Sequence, residues 1–217
     1  MLDVLTDHWS EFRSGWWVTV QIIAGSFGIA MVVGTFVAAF RIAPNKWLQR
    51  LGGLYVEVFR NVPLLVLLFI SFAGLRRAGV DIGPWVAGIG SLGLYTAAYV
   101  AEALRSGVFS VGKGQIEASL SLGFSYAATL RRIVLPQAFR TVIAPLGSLT
   151  IAMIKNSAIV GVSLLALPDL LKQARVVSAR TFQTDETFFW AAVGYIILTG
   201  AATLVFRVLE KRFAIAR

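Results

Sequence analysis

The stretch EASLSLGFSYAATLRRIVLP, residues 117–136, separates two long apolar parts of this chain. Its charged and helix-breaking residues are Glu117, Gly123, Arg131, Arg132 and Pro136. The flanking segments 82–101 and 141–154 carry no charged residue. A polar passage between two such runs indicates a loop that joins membrane-spanning helices.

The composition of the whole chain supports a membrane location. Charged residues make up 14% of the 217 residues and hydrophobic residues 57%, whereas a soluble domain carries about 25% charged residues. The apolar runs are continuous rather than alternating, which favours helices over the strands of a membrane barrel. We predict an all-α membrane protein, one domain over residues 1–217, with five transmembrane helices. The five spans are predicted near residues 16–40, 54–75, 82–102, 136–157 and 187–207.

The distribution of lysine and arginine predicts the orientation. In the five-span arrangement one side holds 11 of these residues and the other side holds 6. Because positive residues favour the cytoplasmic side, we expect the N-terminus outside, the C-terminus inside and a cytoplasmic loop over residues 103–135. The net charge of +9 then reflects topology. We expect no nucleic-acid partner, since binding would need a basic patch on an exposed soluble surface.

The loop over residues 103–135 has the pattern of two short helices. The first is predicted over residues 115–122, and Gly123 suits the left-handed position just past its end. Ser125 suits the N-cap of a second helix over residues 126–134, and Pro136 suits the first turn of the next span. Two readings remain open at this point: a helix pair that inserts into a groove on a partner protein, or a simple connection between spans.

The spacing within this loop resembles the EAA loop of bacterial ABC-importer permeases, which reads EAA, three residues, G, nine residues, I-x-L-P. The matching residues are Glu117, Ala118, Ser119, Gly123, Ile133, Leu135 and Pro136. Only Ser119 departs from the pattern, where the family has a second alanine. The resemblance implies the type I importer permease fold and a coupling helix that docks on a cytoplasmic ATPase subunit. These residues and Arg131 are the expected ATPase-coupling residues.

The same resemblance implies the partners and the location. We expect two ATPase subunits, a second permease subunit of the same or a similar chain, and an extracytoplasmic solute-binding protein, all at a bacterial cell membrane with its lipid. ATP and Mg would lie on the ATPase subunits. This chain is then a transport subunit with no catalytic site, no metal and no cofactor of its own.

Four segments, residues 59–64, 99–107, 114–118 and 154–158, resemble the polar amino acid branch of these permeases. The branch more often has glycine and threonine where this chain has Asn61 and Val62, and its lysine segment more often ends in Thr-Ser-Leu. The resemblance implies a polar amino acid substrate. Glutamate or glutamine is expected ahead of a basic amino acid, because Lys155 adds a positive charge to the expected path.

The lysine segment, IAMIKNSAIVG over residues 151–161, offers the expected substrate contacts. Lys155, Asn156 and Ser157 supply a cation and hydrogen bonds to a substrate carboxylate. Gly161 and Pro168 predict a broken, re-entrant stretch, which is tolerated at membrane depth only inside protein or around water. The alternative is that Lys155 extends to the outer interface and contacts no substrate.

Two further acid–base pairs lie within or beside the spans. Glu57 and Arg60 are three residues apart, as are Glu102 and Arg105, so each pair can meet on one helix face. Each pair has two readings, local structural pairing or gating. Arg60 and Asn61 are added to the expected substrate path.

Other functional classes find less support in the sequence. Residues 107–114 nearly spell a phosphate-binding loop, but Gly114 stands where the magnesium-binding hydroxyl belongs, and an apolar helix precedes it instead of a strand. A passive channel would need a pore built from internal repeats, and no repeat is evident in the sequence. A membrane enzyme would need a nucleophile or a metal cluster, and the sequence shows neither. The alternatives that remain are an ABC-importer permease for another small solute and a passive helical channel.

The predicted orientation is tested by thiol labelling, because the chain has no native cysteine. In intact cells, Gln115→Cys in the cytoplasmic loop should resist an impermeant thiol reagent, and Thr184→Cys should react. The opposite pattern would reverse the orientation.

Overall fold

The computed structural model describes residues 2–163, 165 and 167–213, and the regular structure among them is helical. The helices are α1 (Leu2–Asp7), α2 (Trp9–Ile42), α3 (Lys46–Asn61), α4 (Leu64–Phe69), α5 (Leu75–Arg77), α6 (Pro84–Phe109), α7 (Lys113–Ser121), α8 (Tyr126–Thr129), α9 (Leu135–Val162), α10 (Leu170–Thr181) and α11 (Thr184–Phe213). π-Helical turns over Ile70–Gly74 and Leu130–Val134 join α4 to α5 and α8 to α9.

Helices α2 and α6 pack closely because small residues line their contact. A stripe of α2 at four-residue spacing is buried, formed by Ser26, Ala30, Gly34 and Ala38. A Cβ on Gly34 would lie 2.7 Å from Val100 Cγ1 on α6. In lipid the hydrophobic effect does not drive helices together, because lipid tails are as apolar as the side chains. Close approach instead supplies the dispersion contacts that hold the helices together. The Ser26 hydroxyl also donates to the Ile89 carbonyl at 3.2 Å.

Helix α6 lies at the centre of the bundle, with α9 on a second side. Gly88 and Gly107 of α6 face Val160 and Val142 of α9 with no room for a side chain. The apolar core around this junction contains Ile22, Leu68, Leu92, Met153 and Val160, all buried. Protein rather than lipid therefore surrounds much of α6.

The predicted span over residues 54–75 is wrong in shape. Helix α3 ends at Asn61, and the helix from Leu64 to Arg77 leaves it at an angle of 102°. Pro63 causes the break, since it has no N–H to donate and restricts the residue before it to extended backbone. Val62 accordingly has φ −92° and ψ 127°.

The fourth predicted span is helical but longer than predicted. Helix runs without interruption from Tyr126 through the π-helical turn to Val162, over 37 residues, and Pro136 lies in the first turn of α9, as predicted. Lys155 and its neighbours lie inside this helix. The chain leaves helical geometry at Ser163 and resumes it at Leu170, which is where Gly161 and Pro168 predict an interruption. Residues 164 and 166 of the predicted broken stretch lie outside the described residues. At the other side of the loop, α6 continues to Phe109, so residues 103–109, predicted as loop, are helical.

Among the described residues, three helices are long and apolar enough to cross a membrane, and the bent pair of α3 with α4–α5 makes a fourth if it counts as one span. The three are Trp9–Ile42, Tyr126–Val162 and Thr184–Phe213. Helix α6, the predicted third span, is not among them. Its central position explains this, because a helix shielded by protein needs less apolar surface. The count of five spans stays a prediction.

The N-terminus and the start of α11 lie at the end of the bundle away from the loop before α9. Val4, Phe12, Leu170, Ala174 and Ala191 share one buried apolar cluster there. The loop over residues 103–135 lies at the other end of α9, a helix of 28 residues that is about 42 Å long at 1.5 Å per residue.

The α2–α6 contact generates a matched pair of substitutions. Gly34→Leu should lower the thermal stability of the purified protein, because overpacking costs about 1–3 kcal/mol. Gly28→Leu on the same helix has nothing within 4 Å of its Cβ and should leave stability unchanged or slightly raised, since leucine favours helix over glycine. Thermal unfolding in detergent measures both variants. Equal losses in the two would contradict the packing described.

Candidate coupling site and transport path

Gly123 ends the first short helix of the loop in the conformation expected from the sequence. Its φ is +84°. The Gly123 N–H donates to the Leu120 carbonyl at 2.9 Å, and the Phe124 N–H donates to the Ser119 carbonyl at 3.1 Å. These two bonds form a Schellman motif, which satisfies carbonyls that the helix end would leave without donors. The chain then turns into α8, whose N-cap Ser125 accepts from the Ala128 N–H at 3.3 Å.

Ser119, the departure from the family pattern, joins the two short helices. It is buried, and its hydroxyl lies 2.8 Å from the Thr129 hydroxyl of α8. An alanine in this place would leave the Thr129 hydroxyl without that partner. A second bond, from Gln137 Nε2 to Gln115 Oε1 at 2.6 Å, fixes the start of α9 to α7. The helix pair is therefore held as a rigid corner.

The outer surface of this corner is apolar and exposed. Leu120, Leu122 and Tyr126 are 43%, 79% and 58% exposed. Among the expected coupling residues, Glu117, Ala118, Gly123, Arg131, Leu135 and Pro136 are exposed, Ile133 is half-buried and Ser119 is buried. Exposed leucines beside charged side chains suit insertion into a groove on a partner protein.

Glu117 does not lie in the first turn of its helix, as it would in the helix predicted over residues 115–122. Helix α7 begins at Lys113, so Glu117 is its fifth residue. It lies beyond the first turn, and the helix dipole favours a carboxylate only within that turn. Glu117 instead points to solvent, where it is available to a partner.

The structure separates the three residues predicted to contact substrate on α9. Lys155 is exposed, Asn156 is half-buried, and Ser157 is fully buried with its hydroxyl donating to the Ile154 carbonyl at 2.7 Å. At 3.6 residues per turn, Lys155 and Ser157 point about 200° apart. Lys155 and Asn156 share the accessible side, and Ser157 faces the packed interior.

Glu102 is the centre of an ion network at the loop-side end of the bundle. The predicted pair with Arg105 is present, with Arg105 Nη2 donating to Glu102 Oε1 at 2.6 Å. Arg41, at the last turn of α2, donates to the other carboxylate oxygen. Sequence reasoning missed Arg41 because it lies 61 residues from Glu102 and belongs to a different helix. The network ties the end of α2 to α6.

The predicted pair of Glu57 and Arg60 is wrong. The Arg60 guanidinium lies over the ring of Tyr99 on α6, with Cζ 5.2 Å from the ring centroid. Within the described residues, neither Glu57 nor Arg60 has an ion-pair partner within 4 Å. Asn61, the last residue of α3, is exposed beside them.

Two adjoining cavities open around these groups. One, of about 400 Å³, is lined by Glu57, Arg60 and Asn61 on α3 and by Tyr99 and Glu102 on α6. The other, of about 540 Å³, shares Arg60, Tyr99 and Glu102 and is also lined by Ser106, Thr141, Pro145 and Ser148. Both volumes lie in the range of roughly 300–1,000 Å³ typical of small-molecule sites.

Comparison with known proteins decides the family. Residues 8–215 match the family described as "Binding-protein-dependent transport system inner membrane component". The chain belongs to this family. It is a multi-pass membrane permease, and the resemblance found in its loop is confirmed over nearly its whole length.

The relatives of this permease are amino acid permeases. It is 41% identical over 215 residues to the probable glutamine ABC transporter permease GlnM of Bacillus subtilis, covering 97% of each chain. It is 38% identical to the glutamate transport system permease GluC of Corynebacterium glutamicum, covering 93% of each. Among solved structures, an amino acid ABC transporter crystallised with histidines matches with a TM-score of 0.89 and 32% identity over 96% of each chain.

Proposed function

We propose that this permease is the membrane subunit of an ATP-driven importer for a polar amino acid, with glutamine or glutamate as the favoured substrate. The main support is the coupling corner, which consists of α7, the turn at Gly123 and α8. It is a rigid helix pair with exposed leucines that projects from a membrane bundle of the permease family. In this proposal the bundle has five spans, the N-terminus outside and the coupling loop in the cytoplasm. The permease itself performs no chemistry.

The proposed assembly uses two such corners. A second permease subunit, the same or a similar chain, supplies the other, and each corner inserts into a groove on a cytoplasmic ATPase subunit that carries ATP and Mg. Leu120 and Leu122 fill the groove, while Glu117 and Arg131 contact its rim. An extracytoplasmic binding protein delivers the amino acid at the opposite end of α9.

The substrate proposal rests on relatives and on charge. Of the two relatives described above, one is named a probable glutamine permease and the other a glutamate permease. In the described part of the chain, Lys155 has no carboxylate within 4 Å, so its ammonium is free to meet a substrate carboxylate. Asn156 adds hydrogen bonds beside it. Ser157 is buried beneath this site and does not contact the substrate. Arg60 and Asn61 lie further along the proposed path.

Gly123→Val tests the coupling corner. Its left-handed backbone would strain any side chain by about 1–2 kcal/mol, and a β-branched residue suits it least. Space is not the obstacle, since nothing lies within 4 Å of an added Cβ. The variant should insert in the membrane but lose its ATPase partner, as measured by copurification on the tagged permease from cells that make all subunits.

Gly112→Val is the matched control for this variant. Gly112 is the N-cap of α7, with φ −58° and open space around its Cβ, so valine is tolerated there. Full recovery of the ATPase with substrate-stimulated hydrolysis in Gly123→Val would show that this corner does not couple the subunits.

Lys155→Met tests the substrate site. An opposite charge at about 4 Å contributes on the order of 4 kcal/mol at intermediate dielectric before desolvation is subtracted. We expect labelled glutamine or glutamate uptake to fall at least about tenfold, while the complex assembles and hydrolyses ATP. Lys46→Met, at an exposed lysine of α3, should transport normally. Unchanged uptake in Lys155→Met would mean that Lys155 only extends to the interface.

A further inference from the structure

In the cavity beside Glu57 and Arg60, these two side chains have no ion-pair partner among the described residues. Glu102, the other acid in its wall, is already held by Arg41 and Arg105. Its charge is therefore compensated, so that it neither binds nor repels a further ligand strongly.

Glu57 and Arg60 stand three residues apart on α3, which places their Cβ atoms about 5–6 Å apart. Such neighbours usually pair, yet here Arg60 lies over the Tyr99 ring. An α-amino acid carries its ammonium and its carboxylate on one carbon atom. The unpaired acid and base of α3 are complementary to that arrangement of charges.

The neighbouring cavity connects this site to the proposed substrate path. Thr141, Pro145 and Ser148 line it from α9, and their spacing of four and three residues places them on one helix face. Lys155 continues the same face seven residues further on, about 10 Å along the axis. Among the described residues, Ser106 and Ser148 make no side-chain hydrogen bond, so both hydroxyls are free to bind a passing polar group.

We propose that Glu57 and Arg60 form a second amino acid site, distinct from Lys155 and nearer the cytoplasm. This site holds the α-ammonium and α-carboxylate groups of the substrate before release. The proposal rests on the proposed transport function. Arg60 and the Asn61 amide bind the carboxylate, and Glu57 binds the ammonium. The side chain of the substrate extends into the adjoining cavity toward Ser106 and Ser148.

The test measures equilibrium binding of labelled L-glutamine and L-glutamate to the nucleotide-free permease–ATPase complex. The complex is held in phosphatidylglycerol nanodiscs without binding protein. Arg60→Met and Glu57→Gln should each weaken binding at least about tenfold. Arg50→Met, at an exposed arginine of the same helix, should bind normally.

Ligand derivatives show which charge each residue binds. The amino acid methyl ester lacks the carboxylate, so Arg60→Met should leave ester binding unchanged while Glu57→Gln weakens it. The N-acetyl derivative lacks the ammonium and should show the reverse. Equal losses for both derivatives in both variants would indicate a structural role for the two residues and overturn the proposal.

Two further outcomes would overturn the site. Loss of amino acid binding when phosphatidylethanolamine is added would assign the pair to a lipid headgroup of similar charge. Absence of binding in the wild type, with normal uptake of the same amino acids, would remove this site and leave the transport function standing. Absence of amino acid uptake by the wild-type complex would instead contradict the transport function itself.

Discussion

Backbone amides and carbonyls have no water to bond within hydrocarbon, and this constraint governs where the chain may depart from a helix. The segment after Ser163 shows how a departure is satisfied. Its buried Asp169 accepts from the Lys172 N–H at 2.8 Å and from the Tyr195 hydroxyl at 3.2 Å. The Leu170 N–H donates to the Thr19 hydroxyl at 3.0 Å. The side chains of Asp169 and of Thr19 on α2 thus satisfy backbone N–H groups at the start of α10.

The same constraint explains the small residues between helices. Once every backbone group is bonded within its own helix, association depends on close contact and on a few polar bonds. Gly34, Gly88 and Gly107 allow α6 to approach α2 and α9. The polar groups remaining on α6 can then serve an ion network and two cavities, because they face protein rather than lipid.

Features that depend on neighbouring residues were predictable from the sequence, and features that depend on distant ones were not. Gly123 could be assigned its left-handed turn because the signal is local. Pro63 gave an equally local signal, but the length expected of a span concealed the 102° bend. The Arg41–Glu102 contact joins separate helices, and no pattern within either one indicates it.

The substrate-facing residues illustrate a different limit. Lys155, Asn156 and Ser157 were predicted to contact one ligand, although all three lie within the predicted helical span over residues 136–157. The period of an unbroken helix forbids this, since residues two apart point to nearly opposite sides. Helical periodicity alone separates Lys155 from Ser157, but only the packing of the bundle shows that Ser157 is the buried one.

Continuity of this helix also gives the proposed coupling a mechanical basis. From Tyr126 at the exposed corner to Val162, a single helix of 37 residues extends about 55 Å. It carries Tyr126 and Arg131 of the docking surface at one end, the wall of the cavities in the middle and Lys155 beyond them. Had the chain broken at Pro136, a displaced corner would turn about that hinge and leave the transport path unmoved. Pro145 lies inside the helix and in the cavity wall. It removes one backbone bond there, so any bending that follows displacement of the corner is concentrated beside Arg60 and Ser148, where a substrate would be released.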